Sequence, residues 1–533
     1  MAQAPQPGPQ SSNIPIPVAI DQWQGVNQSS NRSVISDQEL WWCENFFPIA
    51  PGHLRSGWGP SAPLYTAPSG TQILRIFFAN ITTNNPLGFM FLSNGTVDAV
   101  DLNSGAVHSL GQIWGPATPP YYADLKLWLP NQYGNVAGEI GGVLIGSPQG
   151  LYAVDGNFTV TAPGQAAPMW LTNGQTTDAT GATITMPTGL PGIYAMEVYK
   201  ERLWVMGQTV VSFSAPTTAV VFSTAGGGGS FPYWGDQLTA SYTDLVTAGG
   251  FLFVFGDSMV NYISDLTLAG QGTVYNPLTT QFLYANVDPQ NGQRFFRPVG
   301  NWSVFQTTYT GAGIHILTSQ SQPMQLISQK VTNLYATLNS APFQPTQSPC
   351  DIFGQRWMLF NGTFTDPFGV SRSMMLCWNG QIWTIATQHY ALTNIGHIER
   401  DSMIHAYGTD GTVLVELFQQ PDESLEKRLA TKMYEGQQFL IIKHWKRIYT
   451  QLKDNQNGPN GVSLTGMLTT QGGSIPNGSE AVAFDLLPGR FDVVPQPTFG
   501  AGLTAHLDLT SLSPDFTVER ISFTYDERTL YGA

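Results

Sequence analysis

Apolar and polar residues alternate in short bursts along most of the chain. From Gly88 to Leu110 the run GFMFLSNGTVDAVDLNSGAVHSL alternates around the turns Ser93-Asn-Gly and Asp101-Leu-Asn-Ser-Gly, which is how consecutive short strands read. Similar units follow: GGVLIGSPQGLYAVDGN from Gly141, RLWVMGQTVVSFSAP from Arg202, GGFLFVFGDSMVNYISD from Gly249 and GAGIHILTSQSQPMQLIS from Gly311. QRWMLFNG from Gln355, MMLCWNGQIWTIAT from Met374 and SMIHAYGTDGTVLVELF from Ser402 complete the series. The spacing, roughly 45 to 60 residues, is close to that of propeller blades with longer loops. One such hairpin pair cannot bury both of its apolar faces, whereas radial stacking covers each blade with its neighbours. The expectation is an all-β chain with a β-propeller of six or seven blades over residues 66–420. The WD dipeptide is missing, so periodicity alone carries this reading, and a pair of large β-sandwiches is the alternative.

After Phe418 the pattern changes. The polar stretch QQPDESLEKRLATKMYEGQQ gives way to FLIIKHWKRIYTQLK, GVSLTGMLTT, EAVAFDLL, LTAHLDLT and TVERISFTYDER, five strands separated by turn residues. Residues 421–533 therefore read as a C-terminal β-sandwich-like domain. Leu425 to Tyr434 fits a short helix or a linking strand. Residues 1–65 form an N-terminal arm and latch. The tract AGGGGS from Ala225 to Ser230 reads as a mobile connection between blades, since no Gly-Lys-Ser/Thr follows to make a phosphate loop.

Composition narrows the function. Charged residues make up 11% of the 533-residue chain, well under the usual share of about a quarter. Net charge is -14, from 22 basic and 36 acidic residues, so the surface as a whole repels polyanions. Between Trp58 and Gln293 the basic residues are Arg75, Lys126, Lys200 and Arg202, whereas Lys427, Arg428, Lys432, Lys443, Lys446, Arg447 and Lys453 crowd one stretch. No secretory leader or apolar run of membrane-spanning length is visible, so stable membrane insertion is not expected. Cys43, Cys350 and Cys377 are too few and too scattered for a disulfide framework or a zinc cluster and read as reduced thiols.

Local catalytic signatures are missing: no G-x-S-x-G, no H-E-x-x-H and no EF-hand loop. Asp98, Asp101, Asp257 and Asp410 sit in or beside hairpin turns, where Asp is favoured for bonding its own backbone. His397, His405 and His444 read as structural or solvent-exposed. No catalytic residue, cofactor or metal is expected. In KHWKRIY, strict alternation puts Lys443, Trp445, Arg447 and Tyr449 on one strand face and His444, Lys446 and Ile448 on the other. Lys443, Lys446 and Arg447 are then candidates for docking an acidic partner rather than DNA.

The arm carries the most specific pattern. Ser36-Asp-Gln-Glu39 has the form of a capping box, which predicts a short helical turn carrying Leu40, Trp41 and Trp42. NFFP and the turn PGHLRSG follow. The order GVNQSS, SDQELWWCENFFP, GHLRSGWG resembles the opening of the tail-nozzle (tail-hub, packaged-DNA-stabilisation) proteins of short-tailed bacteriophages. There an Asn-x-x-Pro element precedes a Gly-x-Leu-Arg-x-x-x-Gly turn; the matching positions here are Asn45, Pro48, Gly52, Leu54, Arg55 and Gly59. The resemblance implies a virion protein assembled in the host bacterial cytoplasm, a homohexameric ring below portal and adaptor, with tail fibre or needle components as further partners. Such a ring extends the channel through which DNA passes without sequence-specific binding. A chain poor in Lys and Arg offers few phosphate contacts, in keeping with that. A cell-surface or secreted propeller that binds or cleaves glycans is the alternative, and another phage tail component, in baseplate or fibre attachment, is the third reading.

Overall fold

In the computed structural model the described residues run from 16 to 528, with gaps at 83–84, at many positions between 114 and 345, and in short loops between 437 and 502. They fall into two compact units, one of residues 60–380 and 388–419, the other of residues 1–59, 381–387 and 420–533. Strands supply nearly all the regular structure. No helix among the described residues is long and apolar enough to cross a membrane.

The larger unit is a β-propeller, with seven blades among the described residues. Four-stranded antiparallel sheets begin at Ile73–Thr82, Asp124–Trp128, Ala195–Tyr199, Arg297–Val299 and Asn394–Arg400, a sheet described over three strands begins at Tyr242–Ala248, and Thr346–Ile352 heads a larger sheet of which Gln355–Thr365 and Ser371–Trp378 also lie in this unit. The first strand of each blade packs on the first strand of the next, and Asn394–Arg400 packs back on Ile73–Thr82, closing the circle. The last blade is completed by the chain's own upstream end: Tyr65–Thr66 pairs antiparallel with Val413–Glu416, joining Leu414 to Tyr65 and Val413 to Thr66. Main-chain bonds from Leu64 N to Leu414 O and from Ala67 N to Thr412 O, both 2.8 Å, extend this seam.

The propeller core lies between blades, as the stacking argument requires. Phe89, Phe91 and Val97 of the first blade meet Val143, Ile145 and Val154 of the second. Trp204 and Phe213 of the third meet Leu245, Leu252 and Val254 of the fourth. Tyr407 and Leu414 of the last meet Ile73, Met90 and Val100 of the first. Each such fully buried side chain contributes about 1.5–3 kcal/mol relative to exposure. The Gly-rich tract is not a free connection where it is described: Gly229–Pro232 is the fourth strand of its blade, paired with Val210–Phe213, and Gly227 O accepts a 2.6 Å bond from the buried Arg202 guanidinium.

The smaller unit contains two sheets. In one, the long strand Phe516–Arg528 pairs on one edge with Ile442–Asp454 and on the other with both Ile16–Ile20 and His53–Ser56; Phe46–Ala50 and Phe491–Pro495 lie outermost. The other runs Trp383–Ala386, Leu40–Glu44, Lys427–Thr431, Thr504–Ser511, Leu464–Gln471, Ser479–Leu486. Leu464–Gln471 alternates buried and more exposed positions, the mark of a sheet with one covered face. Tyr434 ties the sheets together, its backbone bridging Ala505 while its ring meets Phe523 edge-on at 4.9 Å.

Several expectations need correction. The arm is not a separate latch, because its strands complete both of these sheets. Leu40–Glu44 is a strand rather than a helical turn; Glu39 does reach back to Ser36 N, at 2.9 Å, but the bond closes a turn from which Trp42 and Cys43 enter a buried sheet. Lys427–Thr431 takes the strand alternative. Trp383–Ala386 has a further neighbour that the sequence did not announce: it runs parallel to the arm, with Glu44 opposite Ile385.

Candidate functional site

The six arm positions singled out by the motif stand where the smaller unit is knitted together. Leu40–Glu44 lies in one sheet and Phe46–Ala50 in the other, so Asn45 alone turns the chain between them. It does so with φ +57°, a left-handed conformation that Asn adopts more readily than most residues. Every polar group of this buried residue is engaged. Its N–H donates to Ile385 O at 2.8 Å and its carbonyl accepts from Gly57 N at 2.7 Å. Nδ2 donates to Thr387 Oγ1 and to Glu426 O, both at 2.7 Å, and Oδ1 accepts from Thr387 N at 2.8 Å. One side chain thus joins the arm, the 381–387 segment and the start of the C-terminal region.

Pro48 is buried opposite Leu54 in the Phe46–Ala50/His53–Ser56 hairpin. Gly52 takes φ +76° in the connecting turn, a conformation that costs glycine nothing. Leu54 is fully buried opposite Val518. Arg55 grips Asp515 with both arms of its guanidinium, Nε to Oδ1 at 3.0 Å and Nη2 to Oδ2 at 2.7 Å, and stands 5.1 Å from the Trp58 ring centroid. Such bidentate pairs combine strength with orientation. Gly59 exchanges main-chain bonds with Gln420, and a side chain there would overlap that of Asp422.

Buried charge accompanies this stitching. Glu44, fully buried, accepts from Trp42 Nε1 at 2.9 Å and from Thr387 Oγ1 at 3.2 Å. Lys427 is also fully buried and donates to Asp422 O. Burial holds its ammonium down to about 8, against the opposing pull of Asp422, Asp515 and Glu423. Burial likewise pushes the Cys43 and Cys350 thiols up to about 12, which leaves them unreactive.

The proposed docking strand is only partly at the surface. Between Trp445, opposite Tyr525, and Arg447, opposite Thr524, the ladder carries a bulge at Lys446. The extra residue reverses the alternation, so Lys443 and Trp445 share the buried face with Ile448 and Leu452. Lys443 is therefore no docking residue: it is fully buried, with Nζ 3.3 Å from Leu503 O. Arg447 is exposed; the Lys446 side chain lies outside the described residues. Across the ladder strict alternation did not reveal exposed Arg520, opposite Gln451, or half-buried Thr524, opposite Arg447; Ser522, opposite Tyr449, is buried.

The turn carboxylates behave as expected at two positions. Asp101 Oδ1 accepts from Asn103 N and Ser104 N, and Asp410 Oδ1 from Thr412 N and Val413 N. Asp98 does not: it is buried within Thr96–Asp101 and accepts from Tyr65 Oη at 2.7 Å. Asp257 and the side chain of His444 lie outside the described residues. His405 Nδ1 sits 2.6 Å from Glu416 Oε1. No cluster of His, Cys, Asp and Glu among the described residues is placed to hold a metal ion.

The sequence matches no protein-family model and no curated protein. Solved structures similar to the chain are β-propellers. One is the BBS1 N-terminal domain in complex with ARL6, at TM-score 0.39 and 9% identity, covering 68% of this chain and 98% of that one. Another is the AfRom2 CNH domain, at TM-score 0.34 and 8% identity, covering 67% and 98%. A chain of the mitotic checkpoint complex matches at TM-score 0.34 and 9% identity, covering 67% and 96%.

Proposed function

We propose that the chain is a structural component of a short-tailed bacteriophage tail, a nozzle or hub subunit that assembles as a ring, most simply a hexamer, below the portal and adaptor. In this role it extends the channel that retains packaged DNA and lets it pass on infection. The observation that carries the reading is the arm. The positions shared with that family, Asn45, Pro48, Gly52, Leu54, Arg55 and Gly59, are each used in a turn, a hairpin or a tether of the smaller unit. A net charge of -14 supports passage of DNA without adhesion, since few cations are offered to phosphates. The role requires no cofactor and no catalytic group.

Mass photometry and negative-stain class averages of the purified full chain test this, together with mass spectrometry of purified particles. A closed ring and presence in virions are expected. A persistent monomer under particle-like conditions, with absence from virions, overturns the reading.

A further inference from the structure

Among the described residues, charges of opposite sign make no ion pair at two places in the smaller unit. The first is the outward face of the sheet built on Phe516–Arg528. Past the Lys446 bulge, Arg447, Tyr449, Gln451 and Lys453 point outward while Ile448, Thr450 and Leu452 are buried. Across the ladder Arg520 lies opposite Gln451, Ser522 opposite Tyr449 and Thr524 opposite Arg447. Tyr449, Arg520 and Pro17 border a depression of about 290 Å³ floored by Ser522 and Thr524. Arg447, Lys453 and Arg520 are exposed and make no ion pair among the described residues. In a chain with 22 basic residues, three unpaired on one sheet face is a concentration of positive charge.

The second place is at one end of the other sheet, where Lys427 pairs with Ser511 and Thr465 with Thr510. A groove of about 620 Å³ opens there, bordered by Glu423, Glu426, Leu512 and Pro514 and lined with Ser and Thr hydroxyls. Both glutamates are exposed and make no ion pair among the described residues, and Leu512 is 57% exposed. The hydroxyls are already committed: Ser511 Oγ donates to Ser463 O at 2.6 Å and Ser513 Oγ accepts from Ser463 N at 3.0 Å. The unspent groups of this groove are two carboxylates and an apolar edge. Those of the sheet face are guanidinium and ammonium groups.

We infer that the Arg447/Tyr449/Arg520 sheet face of one copy docks on the Glu423/Glu426 groove of a second copy. The guanidiniums would meet the carboxylates, and Tyr449 would pack against Leu512 and Pro514. Two different patches on one chain make this contact heterologous, the kind that closes into a ring or runs on as a filament. The inference rests on the proposed ring and names the surfaces that build it. Complementary charge fixes partner and register more than raw affinity, so assembly weakens as salt rises.

Charge reversal tests the pairing on the full chain. Arg447→Glu with Arg520→Glu, and separately Glu423→Arg with Glu426→Arg, are each expected to weaken self-association by at least about tenfold. An equimolar mixture of the two variants, and the chain carrying all four substitutions, are expected to reassemble, because each restores opposite charge at every contact. Mass photometry across protein concentration reads all of these. Assembly of both double variants like the wild type overturns the interface while leaving the ring intact. Loss in both without rescue shows that face and groove do not meet each other and overturns it too, as does loss in one variant only. A wild-type chain that stays monomeric under particle-like conditions removes the ring itself, and the interface with it.

Discussion

The propeller and the smaller unit are made from the same kind of strand but assembled in different ways. In the propeller, neighbours in sequence are neighbours in the sheet: Gly142–Ser147 pairs with Gly150–Asp155, and Ala195–Tyr199 with Arg202–Met206. The last blade borrows a strand from afar, taking Tyr65–Thr66. In the smaller unit the joining contacts are remote, and the Arg55–Asp515 pair spans 460 positions. Contacts of short sequence separation cost little loop-closure entropy and form independently; remote ones require the rest of the chain to be in place. The propeller is thus held by repetition of local hairpins, the smaller unit by a few long-range ties, and loss of one tie should do more damage in the second.

The largest expected effect comes from deleting residues 1–59. Four strands and the Asn45 tether go with them, so the smaller unit should lose cooperative unfolding in calorimetry and become protease-sensitive from Gln420 onward. The propeller, which keeps Tyr65–Thr66, should persist as a protected fragment. Equal protection of both parts would break the comparison.

Next comes Asn45→Ala. It strips Thr387 N and Glu426 O of their Asn45 partner, takes the Nδ2 donor from Thr387 Oγ1 and leaves a non-glycine residue at positive φ. A loss of roughly 2–4 kcal/mol in denaturant melts is expected. Asn45→Gly should recover only the backbone part, which separates strain from bonding.

Acid should act on the same unit through His506. Burial, and secondarily Arg32, hold its imidazole down to about 4 from 6.5, with Asp508 opposing. The unfolded chain therefore takes up a proton first as pH falls. The stability linked to this group is full above pH 6.5 and is lost progressively toward pH 4. Thermal melts of His506→Asn across that window should show a shallower decline than the wild type.

The smallest effect is expected at the propeller seam. Tyr65→Phe removes the donor to buried Asp98 and should cost about 1–2 kcal/mol, with the blade-to-blade packing of Tyr65, Leu414 and Tyr407 left in place. A loss here exceeding that of Asn45→Ala would reverse the ranking.

The same distinction decides what could be read from the residues. Blades were legible because their hairpins are local, and alternation around Ser93-Asn-Gly or Asp101-Leu-Asn-Ser-Gly needs no partner from elsewhere. The closing pair Tyr65–Thr66 was invisible because two residues carry no periodicity. Leu40–Glu44 was misread since its capping-box bond is real yet local, while the pairing with Lys427–Thr431 that makes it a strand is remote. Nothing local marks Trp383–Ala386 as a partner of the arm as well. The docking strand failed at a single residue: a bulge at Lys446 shifts parity, which buries Lys443 and gathers Arg447, Tyr449 and Gln451 outward. The motif positions were found by resemblance, while what they do, above all the four tethers of Asn45, required coordinates.

The pairing of the arm with Phe516–Arg528 also sets a timetable for the nascent polypeptide. The last blade can close on Tyr65–Thr66 once Val413–Glu416 has left the ribosome, but Ile16–Ile20 and His53–Ser56 must wait for the Phe516–Arg528 strand. At ~5–20 residues per second, the intervening stretch of about 100 residues takes on the order of 5–20 s to synthesise. Throughout that interval the arm carries unpaired strand edges, although the propeller strands are already complete. Translation that stops early would leave those edges permanently exposed to proteases and chaperones, so a truncated chain would be marked for removal before it could enter an assembly.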